Sequence, residues 1–374
     1  MEREEDYFRE NRKEKKNQRK LASATDRSKY KKSDKEKYLG HLQQELEGKL
    51  GKKCLAEGRV VMILPQGIIV DANGEKIRCI LKGLLKREKT EAKNLVAVGD
   101  FVLFERSSPG EGVIAKVNPR RTVLSRADNL SRRKEQLIAV NVDQLIITAA
   151  VIEPSLKVPL IDRYIIAAQK GGLAPILVIN KIDLLNHPEV DISGKITQTQ
   201  SERARLAEIM EVYPKLGIPT IAISAFEGAG VERLRELMDK KTSVFSGQSG
   251  VGKSSLINAV CGSALRVGEM VDKTKKGSHT TTYTQLIHLE SGGWCVDTPG
   301  IKSFGVWDLK REEIEGYFSE ICLCGRECKF PDCTHLHEEK CAVQDALQQG
   351  TISSIRYDSY RALIESVEQQ HQRR

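Results

Sequence analysis

The pattern Gly-x-x-x-x-Gly-Lys-Ser at residues 247–254 constrains the fold of this chain more than any other stretch. It follows a short apolar run at 243–245 and precedes an apolar stretch at 255–260, so it stands between a predicted strand and a predicted helix. Backbone N–H groups of such a loop point at a phosphate chain, and the N-terminus of the next helix adds positive potential. The alternative, a glycine-rich turn without a ligand, is disfavoured by the motifs that accompany the pattern.

The pattern therefore predicts a phosphate-binding loop. Glycines let the backbone come close to a phosphate. Lys253 is expected to reach the β- and γ-phosphates, and the Ser254 hydroxyl is expected to ligate Mg²⁺. The predicted nucleotide contacts of this loop are Gly247, Gln248, Ser249, Gly250, Val251, Gly252, Lys253, Ser254 and Ser255.

Two further motifs stand at the ends of predicted strands. Asn-Lys-Ile-Asp at 180–183 follows the apolar run at 175–179, and Ser-Ala at 224–225 follows the run at 219–223. Predicted strands and helices alternate from about 120 to 245, which indicates an α/β sheet. Open α/β sheets bind ligands at the carboxyl ends of their strands, where both motifs are expected.

The Asn-Lys-Ile-Asp motif indicates that the base is guanine. Asp183 can accept hydrogen bonds from N1–H and the exocyclic amine of guanine, while Asn180 meets the O6 and N7 edge. Adenine would leave the carboxylate unpaired, which discriminates strongly between the two bases. Lys181 would flank the base or brace the phosphate loop, and Ser224 with the Ala225 N–H would complete the pocket. The predicted base contacts are Asn180, Lys181, Ile182, Asp183, Ser224 and Ala225.

The segment at 275–282 is polar, contains a glycine and suits a switch that orders when a γ-phosphate is present. Thr280 is the expected Mg²⁺ ligand of this segment, with Thr281 as the next candidate. Asp-Thr-Pro-Gly at 297–300, which has the pattern Asp-x-x-Gly, completes the set of nucleotide-binding motifs. Asp297 is expected to bind Mg²⁺ through water, and the Gly300 N–H is expected to contact the γ-phosphate.

Composition separates the N-terminal region from the rest of the chain. Hydrophobic residues make up 40% of the 374 residues and charged residues 30%, and no apolar run reaches the roughly 18 residues of a membrane span. The charged N-terminus excludes a secretory signal, so we expect a cytoplasmic protein without a membrane partner. The net charge of +9 favours a polyanionic partner. Residues 1–50 form either a basic arm that follows a nucleic-acid backbone or a solvated tail.

Short β-rich runs come after the tail. They cover residues 58–64, 67–71, 76–81, 100–104 and 112–117, and Asn73-Gly74 between the second and third is a strong hairpin signal. About five strands in under 70 residues suit a small barrel of the OB type, which commonly takes single-stranded nucleic acid. A barrel used only for docking to its own chain is an equally open interpretation.

Five of the nine cysteines lie between Cys322 and Cys341, which favours metal ligands over disulfides in a chain without an export signal. Cys328, Cys333, His335 and Cys341 offer three thiolates and an imidazole, the ligand set of a closed structural zinc site. Cys322, Cys324 and His337 are spare ligands, and a set that uses Cys324 is the alternative. The other cysteines, Cys54, Cys79, Cys261 and Cys295, are expected to be small buried residues.

Helices are predicted near residues 345–347 and 352–367 at the C-terminal end of the chain. Arg356, Arg361, Arg373 and Arg374 are available to phosphates in one interpretation. A solvated helical face explains these arginines nearly as well.

The order of the motifs is permuted. In a typical GTPase the P-loop comes first, whereas here both base-reading motifs precede it and Asp-Thr-Pro-Gly comes last. With a barrel before these motifs and a cysteine cluster behind them, residues 50–350 resemble the RsgA (YjeQ) family of circularly permuted GTPases. The four zinc ligands also match that family's zinc site.

The resemblance implies hydrolysis of GTP to GDP stimulated by the small (30S) ribosomal subunit, a role in late 30S maturation and contact with 16S ribosomal RNA. It also implies Mg²⁺ with GTP and one structural Zn²⁺ in a monomeric protein. Two rival functions are a GTPase switch for a non-ribosomal protein or RNA partner, and an RNA-binding protein with a vestigial nucleotide site. The second is disfavoured because Lys253, Asp183 and Asp297 are all present.

The residue that orients the attacking water in GTP hydrolysis cannot be the one that follows Gly300. Ras-like enzymes place a glutamine there, but this chain has Ile301, which neither donates nor accepts. His279 is the predicted catalytic residue, because an imidazole with a pKa near about 6.5 is largely neutral at physiological pH. The resemblance points to the same histidine. In the alternative, His279 stabilises the switch and ribosomal RNA orients the water.

We therefore expect a multidomain α/β protein. Its predicted segments are a basic tail at 1–50, an OB-type β-barrel at 51–120, a circularly permuted P-loop GTPase domain at 121–310 and a helical zinc-binding domain at 311–374.

Overall fold

The computed structural model describes residues 55–81, 95–127, 135–186, 197–262, 284–290, 292–297 and 311–372. The tail predicted at 1–50 lies outside these residues, and so do His279, Thr280 and Gly300. Among the described residues, no helix is both long and apolar enough to cross a membrane.

Thirteen strands are described in the residues that the structure covers. They are β1 Ala56–Leu64, β2 Gly67–Ala72, β3 Glu75–Leu81, β4 Phe101–Ser108, β5 Glu111–Val117, β6 Val123–Ala127, β7 Glu135–Val140, β8 Gln144–Ala150, β9 Ala174–Asn180, β10 Thr220–Ala222, β11 Thr242–Gly247, β12 Gln285–His288 and β13 Trp294–Asp297.

The helices are numbered in chain order over the described residues. They are α1 Val158–Lys170, α2 Thr197–Lys215, α3 Val231–Met238, α4 Lys253–Cys261, α5 Arg311–Ile314, α6 Ser319–Gly325, α7 Ala342–Gln348 and α8 Ser354–Gln372. Two 3₁₀ turns, Ile182–Asn186 and Glu315–Tyr317, accompany them.

The first five strands close into a barrel. Around the barrel the order is β1-β2-β3-β5-β4, β4 pairs back onto β1, and β3 and β5 run parallel. Side chains in β3 alternate between exposed and buried, as a strand with one face on a core requires. Phe104, Ile77 and Ile114 are fully buried in the barrel interior. The five β-rich runs predicted from the sequence are therefore the five strands of a closed barrel.

The second part of the sheet has the order β10-β9-β8-β11-β13-β12. Neighbouring strands from β10 to β13 are parallel, and β12 pairs antiparallel with β13. Successive residues of β8 enter different hydrophobic clusters: Leu145 and Ile147 pack with α1 and α2, whereas Ile146 packs with α3 and α4. Both faces of the sheet are covered, which explains the continuous apolar runs.

The barrel and the parallel sheet share hydrogen bonds. Met62 of β1 pairs with Gln285 of β12, so the two sheets are continuous. Arg59 of β1 donates to the Asn141 carbonyl and to Thr242 Oγ1, both at 3.0 Å. The short strands β6, β7 and β12 were not predicted from the sequence; β6 and β7 form a separate two-stranded sheet.

The C-terminal helices pack around their own cluster of Phe318, Ile321, Val343, Leu363 and Ile364. Their junction with the parallel sheet centres on Arg356, which is 3% exposed. Arg356 forms an ion pair with Asp162 of α1 and a second one with Glu320 at 2.6 Å.

The prediction that Arg356 is available to phosphates is therefore wrong. Its guanidinium also lies 4.2 Å from the centroid of the Phe318 ring, so it is enclosed on several sides. Burial alone lowers the pKa of Arg356, but Asp162 and Glu320 raise it overall and keep the side chain charged. Arg361 is half exposed, as a solvated face requires, and it pairs with Asp358 at 2.9 Å. Arg373 and Arg374 lie outside the described residues.

We expect Arg356→Ala to destabilise the protein by about 3–5 kcal/mol, because it leaves the buried Asp162 carboxylate without its cation. Arg361→Ala on the same helix is the matched control and should change stability little, since its ion pair is exposed. Urea unfolding measures both. Equal effects of the two substitutions would contradict the role assigned to Arg356.

Candidate functional site

The predicted P-loop connects β11 to α4, as its sequence context requires. Every residue of β11 is buried, and the loop leaves the sheet at Gly247. A Cβ at Gly247 would lie 2.0 Å from the Thr148 carbonyl oxygen, and one at Gly252 would lie 2.4 Å from Asn180 Nδ2. Only glycine fits at either position, so the loop is held close to β8 and β9.

Lys253 begins α4 and folds back over the loop. Its ammonium donates to the carbonyl oxygens of Gly247 and Gln248, both at 2.8 Å. Burial lowers the pKa of Lys253 from its ordinary value. Ser254 and Ser255 come next in the first turn of the helix and are exposed. The first turn therefore presents two hydroxyls and the backbone N–H groups of a helix N-terminus, which favour an anion.

Asn180 joins the base-reading loops to the P-loop. It is 2% exposed at the end of β9. Its Nδ2 donates to the Val251 carbonyl at 2.9 Å, and its Oδ1 accepts from the Ala225 N–H at 3.0 Å. Since a carboxamide has two N–H groups, one is left for a ligand after the bond to Val251. One side chain thus fixes three loops.

Asp183 and Ser224 form a second polar pair. Ser224 Oγ donates to Asp183 Oδ1 at 2.6 Å and accepts from the Glu227 N–H at 3.0 Å. Ser224 is fully buried, whereas Asp183 is half-buried. The hydroxyl therefore sets the direction of the carboxylate, while the carboxylate stays within reach of solvent.

Lys181 and Ile182 complete the motif that ends β9. Lys181 has a φ of 66°, in the left-handed region, and its ammonium donates to the Glu153 carbonyl. Ile182 opens the 3₁₀ turn that carries Asp183. The loop at Glu153 was not predicted as part of the site, because its contribution is a backbone carbonyl and carries no side-chain signal.

Of the predicted switch residues, only Asp297 lies among the residues that the structure describes. Asp297 is the last residue of β13, which pairs with the P-loop strand β11, so this end of β13 lies beside the P-loop strand. His279, Thr280 and Gly300 lie outside the described residues, and their roles stay predictions.

The four predicted zinc ligands lie together. Their ligand atoms are all within 4.8 Å of one another. Cys328 Sγ is 3.8 Å from Cys341 Sγ, and each of these sulfurs is 3.5 Å from His335 Nδ1. Sulfurs at about 2.3 Å from a tetrahedral zinc ion lie about 3.8 Å apart, so the cluster has the size of a zinc site. Cys322, Cys324 and His337 are not part of this group.

The surroundings of the cluster also suit a metal. His335 Nε2 faces Glu315 Oε1 at 3.6 Å, while Nδ1 of the same ring points at the sulfurs. Tyr357 donates to the His335 carbonyl at 2.6 Å. Burial raises the pKa of the Cys333 thiol to about 12. A bound cation would favour the thiolate form of this sulfur.

Most of the predicted buried cysteines are confirmed. Cys79, Cys261 and Cys295 are at most 3% exposed, and Cys54 lies outside the described residues.

The chain is similar to known proteins over most of its length. A family model described as "RsgA GTPase" matches residues 117–307. The "Small ribosomal subunit biogenesis GTPase RsgA" of Chlorobaculum parvum is 39% identical over 311 residues, which cover 81% of this chain and 94% of that protein. The protein of the same name from Haemophilus influenzae strain 86-028NP is 37% identical and covers 80% and 81% respectively.

Two solved structures are similar over most of the chain. YjeQ from Thermotoga maritima has a TM-score of 0.63 at 31% identity. The similarity covers 84% of this chain and 99% of the YjeQ chain. YloQ, described as a circularly permuted GTPase, has a TM-score of 0.62 at 27% identity and covers 85% and 96% respectively. The predicted fold class, a barrel followed by a permuted GTPase domain and a Cys/His-containing helical region, is confirmed.

We expect Gly252→Ala to weaken GDP binding by at least about tenfold, because the added methyl group would collide with Asn180 and disconnect the three loops. Gly262→Ala at the other end of α4 is the matched control. It also has a positive φ, but a Cβ there would meet no atom within 4 Å. Titration with a fluorescent GDP analogue measures both variants. Similar losses in the two would show that backbone strain, and not the contact with Asn180, is responsible.

Proposed function

The chain belongs to the RsgA GTPase family, and we propose that it hydrolyses GTP to GDP and phosphate when stimulated by the small (30S) ribosomal subunit. We further propose that it acts in late maturation of that subunit through contact with 16S ribosomal RNA. The observation that carries the proposal is the hydrogen bonding of Asn180 to both Val251 and Ala225, which joins a guanine-reading motif to a phosphate loop.

The ribosomal part of the proposal has separate support. The relatives from Chlorobaculum and Haemophilus are named as small ribosomal subunit biogenesis GTPases. A net charge of +9 is suited to an RNA partner, whose phosphates carry the opposite charge. A ribosomal partner also implies a cytoplasmic protein, and we propose that it acts there as a monomer without a membrane contact.

The base is recognised by the pair of Asp183 and Ser224. The carboxylate accepts the N1–H and amine protons of guanine, and the serine hydroxyl keeps it in place. Asn180 uses its second N–H on the acceptor edge of the base, while Lys181 and Ile182 flank the ring. ATP is rejected because its base would leave the carboxylate unpaired.

The phosphates are held by the P-loop backbone and by Lys253. The two carbonyls that accept from the Lys253 ammonium hold it beside the loop, and a nucleotide phosphate is the stronger partner for this cation. The ammonium then moves from the carbonyls to the phosphates. The N–H groups at 247–255 and Gly300 bind the remaining phosphate oxygens.

Ser254, Thr280 and Asp297 would hold Mg²⁺, which neutralises the charge that develops on the phosphates when it is bound with GTP. Ser254 supplies an exposed hydroxyl at the start of α4, and Asp297 ends the strand beside the P-loop strand. His279 positions the attacking water as a neutral imidazole. Because the segment after Gly300 leads into the C-terminal helices, loss of the γ-phosphate changes how the domains present their RNA-binding surface.

Cys328, Cys333, His335 and Cys341 hold one structural zinc ion in this proposal. Four protein ligands leave no position for a substrate. The domain limits of 51–120, 121–310 and 311–374, after a basic tail at 1–50, are part of the same proposal.

The purified full-length protein is expected to hydrolyse GTP slowly and ATP not at all, and isolated small ribosomal subunits should raise the GTP rate by at least about tenfold. His279→Ala should lower the stimulated rate by about 100-fold or more while GDP affinity stays unchanged. A stimulated rate that survives the substitution would assign water positioning to the ribosome. A GTP hydrolysis rate that is the same with and without the subunits would favour a non-ribosomal partner.

Metal analysis of the purified protein is expected to find one zinc ion per chain. Cys328→Ser should lose this ion and lower the melting temperature, because the cluster holds together the segment at 328–341 between α6 and α7. Cys324→Ser removes a nearby thiol outside the cluster and should keep the full zinc content. Loss of zinc from the Cys324 variant would favour the alternative ligand set.

A further inference from the structure

A cleft of about 770 Å³ lies where the barrel meets the β12–β13 hairpin. From the barrel it is lined by the outer face of β1, the turn between β2 and β3, and the start of β4. The hairpin contributes His288 and Trp294. Trp294 begins β13 and Asp297 ends it, so the cleft is at the opposite end of this strand from the nucleotide site. The volume is within the range of about 300–1,000 Å³ that small-molecule sites occupy.

Two aromatic rings line this cleft and are fixed in place. Phe101 is 38% exposed on the outside of the barrel, so part of its ring is open to the cleft. Trp294 is half-buried and meets His288 edge to face, with ring centroids 4.8 Å apart. The Arg59 guanidinium lies 5.1 Å from the centroid of the Phe101 ring and 5.4 Å from that of Trp294. One arginine thus positions both rings.

Arg59 itself is only 9% exposed, and its partners are neutral oxygens of Asn141 and Thr242. Its Nε has no hydrogen-bond partner among the described residues. Strand register places Asp71, Arg59 and Phe101 opposite one another on β2, β1 and β4, so they form one row across the outer face. The row offers an aromatic surface beside a buried cation.

The charged side chains that line the cleft balance. Arg59 and Lys76 carry positive charge, while Glu57 and Asp71 carry negative charge. This balanced charge does not suit a nucleoside triphosphate or a duplex backbone, which need an excess of cations, but it suits one unpaired nucleobase, which is neutral. Carboxylates and the amides of Asn73 and Asn118 instead match the mixed donors and acceptors at the edge of a base.

We propose that this cleft binds one unpaired nucleobase of a single-stranded RNA. The base stacks on the rings of Phe101 and Trp294, its edge meets the carboxylates and amides, and the adjoining phosphate contacts Lys76. Stacking on exposed aromatic rings is the general way in which proteins hold single-stranded nucleic acid. The inference depends on the proposed function only in taking RNA as the partner, because the cleft is separate from the guanine-nucleotide site.

The test uses tryptophan fluorescence of the full chain with saturating GDP, which fills the other nucleotide site. The chain has two tryptophans, so Trp307→Phe leaves Trp294 as the reporter. We expect single-stranded RNA hexamers to quench Trp294. A hexamer of the same charge with abasic sugars should not quench it. Ribosomal subunits are absent, so this result is independent of subunit-stimulated hydrolysis.

Phe101→Ala in the Trp307→Phe background should weaken hexamer binding by about 5- to 100-fold and leave basal GTP turnover unchanged. Phe101→Leu, which keeps an apolar side chain but removes the ring, should lose affinity to a similar extent. Ile80→Ala is the matched control, because Ile80 is 59% exposed on the same barrel and does not line the cleft.

Three results would overturn the proposal. The first is the absence of quenching by every RNA hexamer. The second is an equal loss of affinity in the Phe101 and Ile80 variants, which would indicate general surface binding. The third is saturation of the cleft by nucleoside 5′-monophosphates as tightly as by hexamers, which would make it a site for a free nucleotide.

Discussion

The nucleotide site depends on one buried carboxamide. Asn180 is at the end of β9 and contacts the P-loop after β11 and the loop after β10, so its two hydrogen bonds cross the sheet edge. Gly252 of the P-loop has no room for a Cβ, because the Asn180 amide occupies that space. A buried polar group is costly unless its hydrogen bonds are made. The three loops therefore keep their relative positions as a unit, which in the proposed site couples base recognition to phosphate binding.

Two buried arginines join the other parts of the chain to this sheet, by different chemistry. Arg356 is held by Asp162 and Glu320, so its charge is matched inside the junction with the C-terminal helices. Arg59 donates its hydrogen bonds to neutral oxygens and lies against two aromatic rings, and burial lowers its pKa to about 10 although Asp143 opposes the shift. The C-terminal junction thus depends on two direct ion pairs, whereas the barrel junction depends on hydrogen bonds from the cation to neutral oxygens.

Elements that depend on local pattern could be predicted from the sequence. The alternation in β3, the apolar runs of β8 and β9 and the glycines of the P-loop each depend on nearby residues and predicted their structures. Elements that are defined by a contact with a residue distant in sequence could not be predicted. Arg356 looked like part of a solvated helix face, because Asp162, 194 residues away, is what makes it a core residue. The strand β12 has only four residues, too few to show a periodic pattern, so its pairing with β1 and β13 defines it.

The permuted order has a consequence for how the protein is made. During synthesis the barrel strands and the loop at 180–183 leave the ribosome before the P-loop, and β12 emerges later still. The contact of Arg59 with Thr242 spans 183 residues, and the pairing of β1 with β12 spans more. Contacts of such high sequence separation form slowly, and N-terminal units fold first. The Met62 end of β1, which β4 does not cover, therefore lacks its β12 partner until most of the GTPase domain has been translated.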